Sequence, residues 1–172
     1  RFAFEQAQSI SAELFQILDV QPTRGRGFTA AENVPGSRSV VISDRLWKRR
    51  FGADPAVLDR PIVSQGTPYT VVGVMPPGFS FLDKSVDVWL PIGFTAQART
   101  PRGRSLMVVG RLKPGVTIER AQLEMTQVSA NLTQMFPDFN TGWTSRVVSL
   151  RDQLSGDVRP ALLILAGAVA FV

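Results

Sequence analysis

The feature that most constrains the fold is a run of apolar residues at alternating spacings of three and four. These residues are Ile118, Ala121, Met125, Val128, Leu132 and Met135. Such spacing places their side chains on one face of a helix. Thr117 is a suitable N-cap and Pro137 cannot continue a helix, so the pattern predicts a helix over residues 117–136 with one buried face.

The residues before this helix alternate short β-branched runs with turn signals. Residues 40–42 predict a strand, and Ser43 or Asp44 then caps a helix that ends at Gly52. Residues 62–64 and 69–75 predict a hairpin. Its turn contains Gln65-Gly66 where Asn-Gly is favoured, so we expect a loop longer than two residues.

Further elements flank these runs. Ser11 is predicted to cap a short helix, and Gly25 and Gly27 to supply positive φ in a turn. Residues 106–112 and 146–150 predict two strands, and the apolar face of the long helix is expected to pack on them. The order of elements predicts an α+β fold, a strand-helix-strand half with an inserted β-rich block.

Composition excludes several chemistries. The 172 residues contain no Cys and no His, so thiolate nucleophiles, imidazole ligands and the Ser-His-Asp triad are impossible. The sequence also lacks the G-x-x-x-x-G-K-[ST] loop that cradles ATP phosphates. We therefore expect a non-catalytic domain with no cofactor and no metal, any ATP hydrolysis occurring on another domain or subunit.

Three groups of residues are candidates for chemistry, and each has a simpler interpretation. The run Arg24-Gly-Arg-Gly27 opens no helix, so a turn with solvated arginines is favoured over a phosphate cradle. For Asp83 and Asp87, solvation or turn hydrogen bonding is favoured over acid–base catalysis. The tryptophans are expected to pack in the core or at a subdomain boundary. They are Trp47, Trp89 and Trp143.

The chain is basic, with a formal net charge of +5, which permits acidic partners, anionic lipid or nucleic acid. One helix carries a basic cluster that we interpret as a solvated face or as a docking surface for an acidic partner. It consists of Arg45, Lys48, Arg49 and Arg50. A soluble nucleic-acid-binding domain is the alternative function, although the cluster lacks an aromatic platform.

Residues 161–172 contain no charged or polar side chain. An all-round apolar run is either a buried core element or the start of a membrane helix, and Pro160 suits a first helical turn. We expect a truncated transmembrane helix, because a full span needs about 20 such residues. Arg151 and Arg159 flank the run and are placed to meet lipid headgroups.

Five motifs in order give the chain a family resemblance. Residues 22–32 resemble a "P-x-x-G-R-x-F-x-x-x-E" stretch, and residues 47–52 a "W-x-x-x-F-G" signature. Residues 70–79 resemble "T-V-V-G-V-x-P-x-x-F". The runs VDVWLP at 86–91 and GRLKPGV at 110–116 complete the set. The chain thus resembles the MacB-like periplasmic core domain of bacterial ABC-transporter permeases of the FtsX/MacB type. Asp19 stands where that family commonly has glycine.

The resemblance implies a domain organisation. Residues 1–21 and 103–152 would form a porter-like α+β subdomain, and residues 22–102 an inserted β-rich, Sabre-like subdomain. Residues 153–172 would be a linker and the start of the transmembrane helix. The domain would lie on the extracytoplasmic, periplasmic side of the bacterial inner membrane.

The resemblance also implies a mechanical function. Such domains transmit conformational change between a cytoplasmic ATP-binding subunit or domain and extracytoplasmic cargo or partners. The expected partners are a second permease in a homodimer and a periplasmic adaptor protein, with no nucleic acid. The predicted mechanical linker spans residues 151–159. Its residues, with the proline that follows, are Arg151, Gly156, Asp157, Arg159 and Pro160.

Overall fold

The β-branched runs build one mixed sheet in the first half of the chain. The computed structural model describes residues 6–95 and 106–155, which divide into two compact units within Arg1–Thr100 and Pro101–Val172. The strands of the first unit are β1 (Ala7–Ile10), β2 (Arg24–Gly25), β3 (Ser39–Ile42), β4 (Pro61–Ser64), β5 (Thr67–Val74) and β6 (Val88–Pro91). Their order is β1-β6-β3-β5-β2, and β4 pairs with β5.

Strand directions in this sheet are mixed. The β1–β6 and β3–β5 pairs are parallel, whereas β3–β6, β2–β5 and β4–β5 are antiparallel. The connection between β3 and β5 contains helix α2 (Asp44–Phe51), a 3₁₀ turn at Pro55–Val57 and strand β4. Helix α2 packs on one face of the sheet, as a parallel pair requires.

Strand alternation assigns the two faces of the sheet. The face beneath α2 is an apolar core formed by Val40, Ile42, Leu46, Trp47, Val57, Ile62, Val71, Val74 and Val88. The opposite face carries an aromatic cluster in which Phe15, from helix α1 (Leu14–Ile17), contacts Phe28, Phe79 and Trp89. Because neighbouring residues of a strand point to opposite faces, Val88 and Trp89 of β6 serve both cores.

Local expectations around α1 and α2 are largely confirmed. Ser43 caps α2 by accepting from the backbone N–H of Leu46, and Gly52 ends it at φ 59°. Asp19, which stands where the family commonly has glycine, adopts a left-handed conformation at φ 58°. The cap predicted at Ser11 is wrong, because Glu13 occupies the N-cap of α1 and makes no side-chain hydrogen bond.

The hairpin has a tighter turn than expected. Ser64 pairs with Thr67, so the loop contains two residues, Gln65 and Gly66, at φ 49° and 82°. Two central residues with positive φ define a type I′ turn, whose twist matches that of the flanking strands. The prediction of a longer loop is therefore wrong: the strand twist outweighs the weak preference of glutamine for this conformation.

The second unit is built on helix α3 (Ile118–Met135), followed by α4 (Pro137–Asn140) and α5 (Leu150–Ser155). Thr117 caps α3 by accepting from the N–H of Arg120, as predicted. Polar contacts hold the chain after α4 alongside α3. Gln122 donates to the carbonyl of Ser145 at 2.9 Å and accepts from the N–H of Val147 at 2.7 Å.

Two predicted strands are absent from the described residues, and the helix face predicted to be buried is exposed. Residues 106–112 and 146–149 form no strand, and Leu150 begins α5 instead. A β-pattern specifies which side chains share a face, but a strand also needs a partner for its ladder hydrogen bonds. The apolar face of α3 is exposed, with Val128 at 45% and Leu132 at 37%, whereas the polar residue Ser129 is buried.

The first strand, β1, lies in the same sheet as the block that was expected to form a separate subdomain. Ala7–Ile10 pairs along its whole length with Val88–Pro91, which joins the start of the chain to the block at residues 22–95. The division into residues 1–21 with 103–152, and 22–102, remains a prediction.

Candidate interaction surface

The basic cluster of α2 surrounds one buried carboxylate. Asp87 directly precedes β6 and is 8% exposed. Its Oδ1 accepts from the hydroxyl of Ser43 at 2.6 Å and from Nη2 of Arg45 at 2.8 Å. Its Oδ2 accepts from Nη2 of Arg49 at 2.9 Å. The carboxylate therefore fixes α2 to the adjacent strand β6 at both its N-cap and its later turn.

Two opposing effects set the ionisation of Asp87. Burial disfavours the charged form and would raise the pKa of this carboxyl group. Hydrogen bonds from Ser43, Arg45 and Arg49, with the charge of Arg45, more than offset burial and hold the pKa of Asp87 below its ordinary value. Asp87 is thus a carboxylate at neutral pH, and its partners are the two arginines.

The remaining basic residues of the cluster differ in environment. Lys48 forms an i,i+4 ion pair with Asp44 at 2.9 Å, a contact of small energetic value at an exposed site. Arg50 lines a cavity of about 280 Å³ with Asp54, Val57 and Arg60. The two carboxylates beside the four basic residues, Asp44 and Asp87, offset only part of their charge, so the cluster keeps a net positive charge. Its role in docking remains a prediction.

A second carboxylate, which is partly buried, explains the first sequence motif. Glu32 accepts from both terminal nitrogens of Arg26, at 2.7 and 3.0 Å, and from Ser39 at 2.6 Å. It also accepts from the N–H and hydroxyl of Thr29, both at 2.8 Å. The Arg26 hydrogen bonds, followed by those from Ser39 and Thr29 and against the opposing effect of burial, lower the pKa of Glu32 to about 2. The motif arginine and glutamate are therefore structural partners.

The glycines of two motifs allow close backbone approach. A Cβ on Gly25, at φ 69°, would lie 2.2 Å from the carbonyl oxygen of Val72. A Cβ on Gly73 would lie 2.2 Å from the carbonyl oxygen of Arg26. Gly27 has no close neighbour of this kind and no positive φ, so the expectation of positive φ holds for Gly25 and fails for Gly27.

The other candidate residues mostly have structural positions. Arg24 lies over the ring of Trp47, 4.8 Å from its centroid, and is not arranged with Arg26 as a phosphate cradle. Asp83 accepts from the N–H and hydroxyl of Ser85, the turn hydrogen bonding that was predicted. Trp47 and Trp89 are buried as expected, but Trp143 is 60% exposed.

The predicted linker is described in part. Arg151 lies in α5, whereas Gly156, Asp157, Arg159, Pro160 and the apolar run that follows lie outside the described residues. Among the helices that are described, none is both long and apolar enough to cross a membrane. Residues 6–95 and 106–155 also contain no group of His, Cys, Asp or Glu side chains suited to hold a metal ion.

Sequence reasoning missed the two carboxylates that organise the first unit. For Asp87, one signal was available: an acidic residue between apolar strand residues must find a partner when buried. Its partners Ser43, Arg45 and Arg49 lie on a helix about 40 positions earlier. For Glu32, the signal was the six-residue spacing from Arg26 within a single motif.

Comparison with known proteins agrees with these motifs. The sequence matches the family model described as MacB-like periplasmic core domain over residues 3–128. The chain therefore belongs to this family of extracytoplasmic domains of ABC-transporter permeases, as the five motifs predicted. No curated protein matches the sequence.

Several solved structures, including the following three, are similar to the chain. The periplasmic region of MacB from Actinobacillus actinomycetemcomitans is 18% identical, with a TM-score of 0.52 over 78% of this chain and 58% of that one. A domain of a putative permease protein from Porphyromonas gingivalis is 18% identical, with a TM-score of 0.51 over 86% and 70%. These two structures confirm the predicted α+β class.

The third similar structure is the extracellular domain of the noncanonic ABC-type transporter YknZ from Gram-positive bacteria. It is 22% identical, with a TM-score of 0.41 over 50% of this chain and 42% of that one. The chain thus spans about half the length of the YknZ and MacB domains.

Proposed function

We propose that this domain transmits conformational change between a cytoplasmic ATPase and extracytoplasmic cargo or protein partners. In this proposal it works within a permease homodimer and exports its cargo, with a periplasmic adaptor protein among its partners. Family membership supports an extracytoplasmic position for this domain. The free energy of ATP hydrolysis in the cytoplasm can affect such a domain only through the protein segments that connect it to the ATPase.

The observation that supports the proposal is that residues in and beside the sequence motifs make contacts within the first unit. Arg26 binds Glu32, and Arg45 and Arg49 bind Asp87. Gly25 and Gly73 bring backbones together. These contacts stabilise one arrangement of sheet and helix, and a close-packed body of this kind moves as a unit because its interior transmits strain.

The proposed mechanical link is the segment 151–159, which leads towards the apolar run. Its first residue, Arg151, lies in helix α5. A helical start favours transmission of force, because a segment of fixed conformation carries a displacement that a flexible chain absorbs.

A spacer tests this link in the full transporter. Six Gly and Ser residues inserted after Gly156 should abolish export while ATP hydrolysis and folding are retained. The matched control is the same insertion after Gly36, an exposed position where a Cβ would meet nothing within 4 Å. Export equal to wild type with the spacer after Gly156 would show that the segment carries no signal.

A further inference from the structure

Leu82 has a backbone conformation that its side chain disfavours. Its φ is 63°, and the residue is 36% exposed. Among the described residues, the other non-glycine positions with positive φ are Asp19, Ala53, Asp59 and Gln65. Leu82 is the one with a large aliphatic side chain, for which the left-handed region is a genuine outlier.

Burial does not compensate for this conformation. The aromatic residues beside Leu82 do enter the core: Phe81 is 6% exposed, and the ring of Phe79 lies 5.5 Å from that of Trp89. Leu82 instead points part of its apolar surface to solvent. Backbone strain of this kind clusters at functional and ligand-contact sites, so the conformation of Leu82 points to a contact made by this loop.

The loop that carries Leu82 is held in place on both sides. Asp83 accepts two hydrogen bonds from Ser85, and its N–H donates to the carbonyl of Phe81 at 2.8 Å. Arg45 donates to the carbonyls of Lys84 and Ser85 at 3.1 and 3.0 Å. A loop fixed in this way binds without a further ordering cost, which raises affinity.

The charges around Leu82 indicate the chemistry of a partner. Lys84 is exposed two residues away, and the side chains of Arg45 and Arg49 are 51% and 60% exposed. The opposing carboxylates are Asp83, at the surface, and Asp87, buried between the two arginines. Three cations and two carboxylates leave one net positive charge beside the apolar side chain.

We propose that the loop over residues 79–87 is a preorganised contact site for an extracytoplasmic protein, with Leu82 as its apolar anchor. The partner surface has an apolar socket with carboxylates at its rim, because these complement Leu82 and the neighbouring cations. The proposal rests on the extracytoplasmic setting of the proposed function, but not on the mechanical link at residues 151–159.

Photo-crosslinking of the full transporter in its own membranes tests the site. A p-benzoylphenylalanine residue replaces Ser80, which is exposed on the same loop, or Gln65, an exposed residue of the hairpin turn. We expect a protein adduct at position 80 that is absent at position 65. The captured protein, identified by mass spectrometry and purified, should bind the chain with an affinity that Lys84→Glu lowers.

The anchoring role is tested by Leu82→Asn, since asparagine tolerates the left-handed region. The adduct and the measured affinity should fall about tenfold, as for an interface hot spot, while the melting temperature of the chain is unchanged or higher. The matched control is Asp59→Asn, an exposed position at φ 58°, which should leave both unchanged.

Three results would overturn the proposal: an adduct formed with lipid instead of protein, an adduct insensitive to Leu82→Asn, or a clear fall in melting temperature for that variant. The last would show that Leu82 serves the fold. Failure of the spacer experiment leaves this test intact, because the spacer reports on transmission and the adduct reports on contact.

Discussion

The hydroxyl of Ser43 donates to Oδ1 of Asp87 at 2.6 Å and at the same time accepts from the backbone N–H of Leu46 at 3.0 Å. One oxygen atom therefore both caps helix α2 and joins it to the residue before β6. The carboxylate lies at the N-terminal end of α2, where the helix dipole also favours negative charge. The position of α2 on the sheet depends on this pair.

Replacing the carboxylate should loosen the contact between α2 and the sheet. In Asp87→Asn, Arg45 and Arg49 lose their charged partner, and we expect the free energy of unfolding to fall by about 2–3 kcal/mol. Urea unfolding of the chain measures the change. Asp83→Asn, which removes a carboxylate that bonds only within its own turn, is the control and should hardly move the midpoint. Equal losses in the two variants would contradict the buried cluster.

Glu32 makes stability depend on acid pH. Its pKa is about 2 in the folded chain, against an ordinary 4.5, so the unfolded chain binds the proton first as pH falls. The stabilisation is complete above about pH 5 and is lost between there and pH 2. We expect the free energy of unfolding to fall by about 2 kcal/mol over this range. This is less than the full pKa shift of Glu32 implies, because solvent screens its partner Arg26, whose side chain is 52% exposed.

Urea unfolding at a series of pH values tests this dependence. Glu32→Gln should be less stable than the wild type at pH 7 and should show a flatter profile between pH 5 and 2. Parallel profiles for the two proteins would mean that Glu32 is not the group responsible.

The two glycines of the Arg-Gly-Arg-Gly run should respond differently to alanine. Gly25→Ala places a Cβ 2.2 Å from the Val72 carbonyl at a positive φ, and we expect a loss of about 3 kcal/mol or failure to fold. In Gly27→Ala the nearest atom is a side-chain carbon of Phe15 at 3.7 Å, an ordinary contact. Thermal unfolding compares them, and a harmless Gly25→Ala would refute the close approach of β2 to β5.

Removal of the α3 cap should weaken the second unit. Thr117 accepts from the N–H of Arg120 at 3.2 Å, so Thr117→Ala is expected to cost about 1 kcal/mol. Gln134→Ala, at an exposed position within the same helix, is the control and should be neutral or slightly stabilising. Helical circular dichroism during urea unfolding follows both, and no difference between them would exclude the cap.

Helices α2 and α3 could be predicted closely from local sequence, whereas the cap of α1 and the start of α5 could not. A capping residue, a glycine or proline stop and a 3.6-residue period lie within the helix itself, and Ser43, Gly52, Thr117 and Pro137 gave correct limits for α2 and α3. The limits of these two helices therefore follow from neighbouring residues.

The strands and the buried carboxylate of Asp87 depended on distant residues. Residues 106–112 carry a β-pattern but form no ladder with another strand. The burial predicted for the apolar face of α3 was therefore also wrong, because that face was expected to pack on the missing sheet. For Asp87, the prediction of solvation or turn hydrogen bonding is wrong, since nothing within its own segment shows that Ser43, Arg45 and Arg49 meet it.

The pairing of β1 with β6 has a consequence for how the domain is made. Ala7 lies opposite Val88, so the first strand of the sheet acquires its neighbour when almost the whole unit has been synthesised. Until then β3 also lacks its β6 edge, and its backbone and apolar side chains stay open to incorrect pairing. Contacts so distant in sequence slow folding, and a nascent chain of this domain should need protection from aggregation up to the emergence of Pro91.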